Sequence, residues 1–276
     1  MQYIYTKGQF LPADEPFIIA DDRSFRFGDG IFETILLVEG RMWNAAAHFS
    51  RLQKGLEFFR IALDISPLEA QCNALIAKNN CVSGYVRVVV SRGDNGAGAM
   101  GYMPANNTPY YIIQTVEKPF PAFGSLSLAV SRHCASLHIP CKTNSAMFYT
   151  LSMLEARDAG CENALILNSE NLICETASGN IFWVKNNMLY TPELSLPFVP
   201  GTVRKKIIAL SPIPVQEGRY TLADIAQADE IFMTNIGGLV TKVSSIPAIG
   251  FSAKTDALTQ RFRSLIEADI KTPAPH

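Results

Sequence analysis

The apolar and polar positions of this chain change period several times, and each change marks an element. Residues 1–12 alternate around a glycine, the pattern of a small edge hairpin. The turn Gly28-Asp29-Gly30 leads into an alternating run, Ile31–Val38, and Glu39-Gly40 turns the chain back into Arg41–Trp43. From Ala45 to Arg60 the apolar residues Phe49, Leu52, Leu56 and Phe59 recur at helical spacing, which predicts a helix carrying His48 and Arg51. A second helix is expected over Pro67–Lys78. Two buried strands follow, YVRVVVSRG and TPYYIIQTVEK, on either side of a Gly-rich loop, Gly93–Asn107.

The segment EKPFPAF carries two prolines and no periodicity, which marks a domain boundary. The expected division is an N-terminal α/β domain over 1–118, a linker over 119–125 and a C-terminal cofactor-binding domain over 126–276. Beyond the linker, LSLAVSRH reads as a strand and SAMFYTLSMLEARDAG as an amphipathic helix beginning near Ser145. A run of strands follows through ALILNSENLICETASGNIFWVKNNMLYTP. GTVRKKIIAL opens another helix, and IFMTNIGGLV sets a Gly-Gly turn after a short strand. Alternation of helices and strands throughout predicts a two-domain α/β or α+β protein, without repeats or low-complexity tracts.

Composition narrows the function classes. The 276 residues are 48% hydrophobic and 18% charged, enough for a substantial core, and the formal net charge is −1. No long-range field draws in nucleic acid or an anionic membrane surface. The N-terminal residues lack the basic start and apolar run of a signal peptide, and no apolar stretch reaches bilayer-spanning length, so a cytoplasmic, non-membrane protein is expected. The six cysteines are scattered without a C-x-x-C pair, and the four histidines lack ligand spacing, so reduced thiols and no metal site are expected.

Some positions carry candidate chemistry. Lys142 lies between a strand and a helix, where its backbone is fixed while its amine can reach a cleft; burial would lower its pKa and free the amine to attack an aldehyde. Glu175 sits among apolar neighbours in LICETASGNIFWV, where a carboxylate needs a cation or hydrogen-bond donors unless alternation turns it outward. Arg51 could hold a phosphate bidentately. PGTVRK places Gly at a helix start, with free N–H groups for an anion, and TNIGG is a second turn with exposed amides. GDNGAGAMG has neither the strand–turn–helix setting of a dinucleotide fingerprint nor the Lys-Ser/Thr ending of a phosphate-binding loop.

Taken in order, the segments FGDGIFET (27–34), HFSRL (48–52), CKTNSAM (141–147), ENALILNSENLICETASGNIFWV (162–184), TPELSLPFVPGTVRK (191–205) and FMTNIGGLVTKV (232–243) resemble the class IV aminotransferases, the fold-type IV pyridoxal-phosphate enzymes. That family includes branched-chain and D-amino acid aminotransferases and aminodeoxychorismate lyases. The resemblance implies a two-domain fold of the D-amino acid aminotransferase kind, with pyridoxal 5'-phosphate between the domains. It also implies a homodimer, with a loop of one subunit reaching its partner's site; residues 93–107 are the candidate. Lys142 is similar to the lysine that forms the Schiff base and shuttles the proton, and Glu175 to the glutamate on the pyridine nitrogen. Arg51, Thr202-Val203 and Ile236-Gly237 match the groups around the cofactor phosphate, and Phe27, Phe32 and Thr34 are candidates for the substrate pocket.

This sequence departs from the family pattern in places. Val203 stands where many of these transaminases have a threonine, which leaves backbone donation alone, and Met147 replaces the tyrosine of branched-chain enzymes. Leu36-Leu37 replace an arginine-bearing stretch, which argues against the branched-chain subfamily. Thr34 is similar to the lyases, but their loop arginine for the substrate carboxylate is missing from GDNGAGAMGY; Arg92 or Arg26 could substitute. The resemblance leans toward 4-amino-4-deoxychorismate lyase, which eliminates pyruvate and releases p-aminobenzoate for folate synthesis. An aminotransferase for D-amino or branched-chain amino acids is the alternative, and a non-catalytic binding protein on the same fold is a second.

Overall fold

A computed structural model describes residues 2–15, 17–96, 101–104 and 108–272; residues 97–100 and 105–107 of the candidate loop lie outside the described residues. The first elements are β1 (Tyr3–Thr6), β2 (Gln9–Pro12), α1 (Arg23–Phe27), β3 (Gly30–Val38), β4 (Arg41–Met42), α2 (Ala45–Phe58), α3 (Leu68–Lys78), β5 (Gly84–Ser91) and β6 (Tyr110–Glu117). Next come β7 (Ser125–Val130), β8 (Lys142–Thr143), α4 (Met147–Asp158), β9 (Asn163–Leu167), β10 (Ile173–Thr176), β11 (Asn180–Lys185) and β12 (Met188–Pro192). The chain finishes with α5 (Thr202–Ala209), β13 (Val215–Gly218), α6 (Leu222–Ile225), β14 (Glu230–Asn235), β15 (Leu239–Ile246), β16 (Phe251–Ser252) and α7 (Ala257–Lys271). The mixed α/β fold expected from the sequence is the one observed, organised around two sheets. No described helix is long and apolar enough to cross a membrane.

The chain divides into two compact units. The first comprises residues 1–120 and 140–146, the second 121–139 and 147–276. The sequence placed 140–146 with the C-terminal domain. Here it joins the first unit, because β8 extends the edge of β3 (Ile31 opposite Thr143, Phe32 opposite Lys142) and the Asn144 amide donates to the Gly30 carbonyl. Those bonds hold residues 144–146 out of a helix, so α4 starts at Met147 rather than near Ser145.

The sheet of the first unit runs β2-β1-β6-β5-β3-β4, with β8 on β3, and every pairing is antiparallel. Alternation on β3 turns Ile31, Glu33, Ile35 and Leu37 inward, and α2 packs there through Leu52 and Leu56. The short helix α1 has no periodicity to announce it. Asp22 caps it by accepting from the Ser24 and Phe25 amides, and Ser91 and Tyr110 donate to the same carboxylate.

The sheet of the second unit runs β10-β9-β7-β15-β14-β11-β12-β13, parallel at β9-β7, β7-β15 and β12-β13. Its core includes Leu128, Leu165, Ile181, Trp183, Ile231 and Val243. The amphipathic helix α7 packs on β14 and β15, and Glu230 of β14 accepts from the Leu258 and Thr259 amides at its N-terminus. Burial pushes the Cys72, Cys141 and Cys174 thiols up to about 12, so these cysteines pack as small apolar groups.

Candidate active site

In the first unit the motif FGDGIFET resolves into separate tasks. Gly28 ends α1 at φ 67, and a Cβ there would lie 2.9 Å from Ser145. A Cβ on Gly30 would meet the Val90 carbonyl at 2.2 Å and Asn144 Nδ2 at 2.4 Å. The two glycines therefore let residues 144–145 approach closely enough for the Asn144 side chain to bond Ser24 and the Val90 carbonyl. Between them, Asp29 accepts from Arg23 and Arg92. Burial raises the Asp29 carboxyl, but the two guanidiniums outweigh it and hold it below its ordinary value. These bonds fasten the segment carrying Lys142 to the edge of β3.

Lys142 is half-buried, and its Nζ lies 5.5 Å from the centroid of the Phe32 ring. Thr34 follows two residues along β3 on the same face and stands opposite Arg87 of β5. The Arg87 guanidinium lies 5.0 Å from the same Phe32 ring and is exposed. One face of this unit thus gathers an amine, an aromatic ring, a hydroxyl and a guanidinium. Phe32 and Thr34 are the pocket candidates named from the sequence; Arg87, not singled out there, is marked only as an arginine inside the apolar run YVRVVV. Phe27 sits at the end of α1, with Arg23 and Arg26 over its ring and Tyr102 edge-on at 5.5 Å. Arg92 is engaged by the fold, donating to Asp29, Phe59 O and Arg60 O, which removes it as a substitute carboxylate receptor.

On the opposite face of β3, Glu33 is fully buried and accepts from Arg51 Nε and Nη2 and from His48 Nδ1, each at 2.7 Å. Burial pushes the Glu33 carboxyl up, but Arg51 and His48 outweigh that and hold it below its ordinary value of 4.5. The structure gives Arg51 a fixed guanidinium plane set by this bidentate pair.

The second unit assembles the other expected residues. A register shift between Ile173 and Glu175 re-aims the strand, and Glu175 is 4% exposed. The outward-facing alternative for this residue is therefore excluded. Its Oε1 accepts from the Tyr149 hydroxyl at 2.8 Å and its Oε2 from the Val199 amide at 3.3 Å. Asn180 then ties neighbouring loops together. It stands opposite Thr234 on β14 and donates to the Val199 carbonyl, and a Cβ on Gly201 would lie 2.1 Å from its Oδ1. Asn235 donates to the Ser178 carbonyl and accepts from the Gly238 amide, which shapes the turn containing Ile236 and Gly237.

Glu175, the start of α5 at Thr202-Val203, and the 236–237 turn are thus linked to one hairpin, residues 176–180. The Val203 side chain is buried and only its backbone can serve an anion. The Thr234 hydroxyl, one residue before the second loop, is buried with no partner. A helix start opened by glycine, a Gly-Gly turn and an unsatisfied hydroxyl suit an anionic group such as a phosphate. A buried carboxylate suits a ring nitrogen that carries a proton. The residues present fit pyridoxal phosphate.

Residues 30–246 match the amino-transferase class IV family, and the chain belongs to it. It is 26% identical to a branched-chain-amino-acid aminotransferase of Salmonella typhimurium over 270 residues, covering 90% of this chain and 85% of that one. It is 29% identical to an aminodeoxychorismate lyase of Vibrio harveyi over 250 residues, covering 82% of this chain and 86% of that one. The solved branched-chain amino acid aminotransferase of Escherichia coli superposes with a TM-score of 0.87 at 25% identity, covering 98% of this chain and 94% of that one. The chain is a pyridoxal-phosphate-dependent transaminase or lyase.

Proposed function

We propose that this chain acts on an amine substrate bearing a carboxylate, with Lys142 as catalytic base, and that its reaction is the elimination of pyruvate from 4-amino-4-deoxychorismate. The observation that carries the reading is the face bearing Lys142, Phe32, Thr34 and Arg87. Lys142 is the amine that would take the cofactor aldehyde, and Glu175 would pair with the ring nitrogen. Arg51, the Thr202-Val203 backbone and the Ile236-Gly237 turn would hold the phosphate. The cofactor, when bound, supplies an electron sink for the carbon that loses its proton.

The residues of the chain divide the remaining work. With the cofactor held there, the Lys142 amine would serve as the base that takes the proton from the amine-bearing carbon of the substrate. Arg87 receives a substrate carboxylate, Phe32 lies against the carbon skeleton, and the Thr34 hydroxyl sits where a polar substituent needs a partner. In the elimination, enolpyruvate leaves from the neighbouring ring carbon and is protonated to pyruvate while the ring becomes aromatic. In a transamination, the same lysine would return the proton to the cofactor, and a 2-oxo acid would take up the amine. The likeness to branched-chain aminotransferases supports that second reading.

The test is to give the purified, pyridoxal-phosphate-loaded enzyme aminodeoxychorismate without an oxo acid. Catalytic release of p-aminobenzoate, lost together with the yellow colour in Lys142→Ala, is the expected result. No release, with D-alanine or leucine converted in the presence of 2-oxoglutarate, would replace the lyase with the transaminase. A homodimer in the cytoplasm belongs to the same proposal, and sedimentation of the purified enzyme tests the dimer.

A further inference from the structure

Tyr149 has no assigned role above, yet it makes the shortest described hydrogen bond to Glu175. It lies on α4, and with Phe148 and Met153 it packs against a buried cluster that includes Ala156, Ala164, Ile166 and Ala177. The Phe148 ring meets the Tyr149 ring edge-on at 5.3 Å, which restricts its rotation. From that fixed position the hydroxyl donates to Glu175 Oε1 at 2.8 Å, while the Val199 amide approaches Oε2 from a different element. The carboxylate is therefore gripped at both oxygens. Burial, and after it the neighbouring Glu175, push the Tyr149 phenol above its ordinary value, so it stays a donor at every working pH.

A donor to the ionised form of a carboxylate lowers its proton affinity, most strongly where water is excluded. When a protonated ring nitrogen shares its proton with that carboxylate, the donor decides on which side the proton rests. We propose that Tyr149 is a positioning residue for the cofactor, holding Glu175 oriented and ionised so that the shared proton stays on the pyridine nitrogen. This rests on the reading of Glu175 as the ring partner. It identifies a residue that the sequence hides, because Tyr149 stands among helix positions whose spacing marks only a packed face.

The experiment compares wild type, Tyr149→Phe and Glu175→Gln, each loaded with pyridoxal phosphate labelled with nitrogen-15 in the ring. The readouts are the ring-nitrogen resonance and the dissociation constant of the cofactor. Tyr149→Phe is expected to move the resonance toward the unprotonated form and to weaken cofactor binding about tenfold, the size of one hydrogen bond to a charged group. A Tyr149→Phe resonance and affinity equal to wild type, with Glu175→Gln shifted, would overturn the role of Tyr149 and leave that of Glu175 standing. A Glu175→Gln resonance equal to wild type would remove the ring-partner reading and the proposal together. Should the phenylalanine variant fail to fold, 3-fluorotyrosine placed at position 149 keeps the shape and strengthens the donor. A resonance displaced from wild type then supports the proposal, and an unmoved one overturns it.

Discussion

Glu33 and Glu175 are both strand carboxylates withdrawn from water, at 0% and 4% exposure, and they are held in opposite ways. Glu33 is clamped by a guanidinium and an imidazole on α2, so its charge is neutralised within its own unit. Glu175 accepts from a phenol on α4 and from the Val199 backbone amide, donors on separate elements that fix the direction of the carboxylate. Burial alone therefore does not identify a reactive carboxylate. The kind of partner distinguishes the two: an arginine and a histidine of one helix lock Glu33 into the fold, whereas a phenol and a backbone amide orient Glu175.

The largest expected effect comes from breaking the first clamp. Glu33→Gln leaves Arg51 buried without its counter-charge and should cost about 3–5 kcal/mol of folding stability, measured by denaturant unfolding. A loss below about 1 kcal/mol would mean that Glu33 is not a structural ion-pair partner. The pH dependence follows the same logic. Because the folded Glu33 carboxyl titrates below its ordinary 4.5, its contribution is complete above that value and is lost as the pH falls beneath it. The acid limb of the wild-type stability curve should accordingly be steeper than that of Glu33→Gln.

Glu175→Gln should show the reverse profile. The amide oxygen can still accept from Tyr149, while the amide nitrogen replaces the oxygen that took the longer Val199 bond, so stability should fall by about 1–2 kcal/mol, less than in Glu33→Gln. The turnover number should fall about 10²–10³-fold, the scale of removing one preorganised electrostatic partner. Steady-state kinetics and unfolding of the same preparation check both halves. If stability fell as far as in Glu33→Gln while turnover survived, the two glutamates would be doing the same structural work.

Much of this contrast was legible in the sequence, though unevenly. Periodicity located β3, α2, β5 and β6 closely, since each has one face buried and the other open. The ordered motifs singled out Lys142, Glu175 and Arg51 before any geometry was known. Short elements escaped because they are set by single bonds rather than by period: α1 by the Asp22 cap, and β8 by its pairing with β3. The helix α7 was overlooked although Phe262, Ile266 and Ile270 mark its buried face. Nor does spacing along the chain show that Glu33 meets Arg51, that Tyr149 meets Glu175, or that Arg87 shares a ring with Lys142. Those are contacts across elements, and only packing creates them.

The smallest expected effect tests whether burial is needed for a clamp to matter. Arg132 bonds Glu155 through the same ions as the Arg51–Glu33 pair, but its side chain is 89% exposed. Although burial raises the Glu155 carboxyl, its bonds to Arg132, Ser131 Oγ and the Arg132 amide pull it down to about 2. Water and salt can replace an exposed guanidinium, and holding a long side chain in one rotamer costs entropy, so the pair should add little to folding. In Arg132→Ala the unfolding midpoint should stay within measurement error. The Glu155 carboxyl, followed by NMR titration, should settle between about 2 and its ordinary 4.5, because Ser131 and the backbone amide still donate. A midpoint shift as large as that of Glu33→Gln would show that the chemistry of the pair, rather than its exclusion from water, makes the first clamp structural.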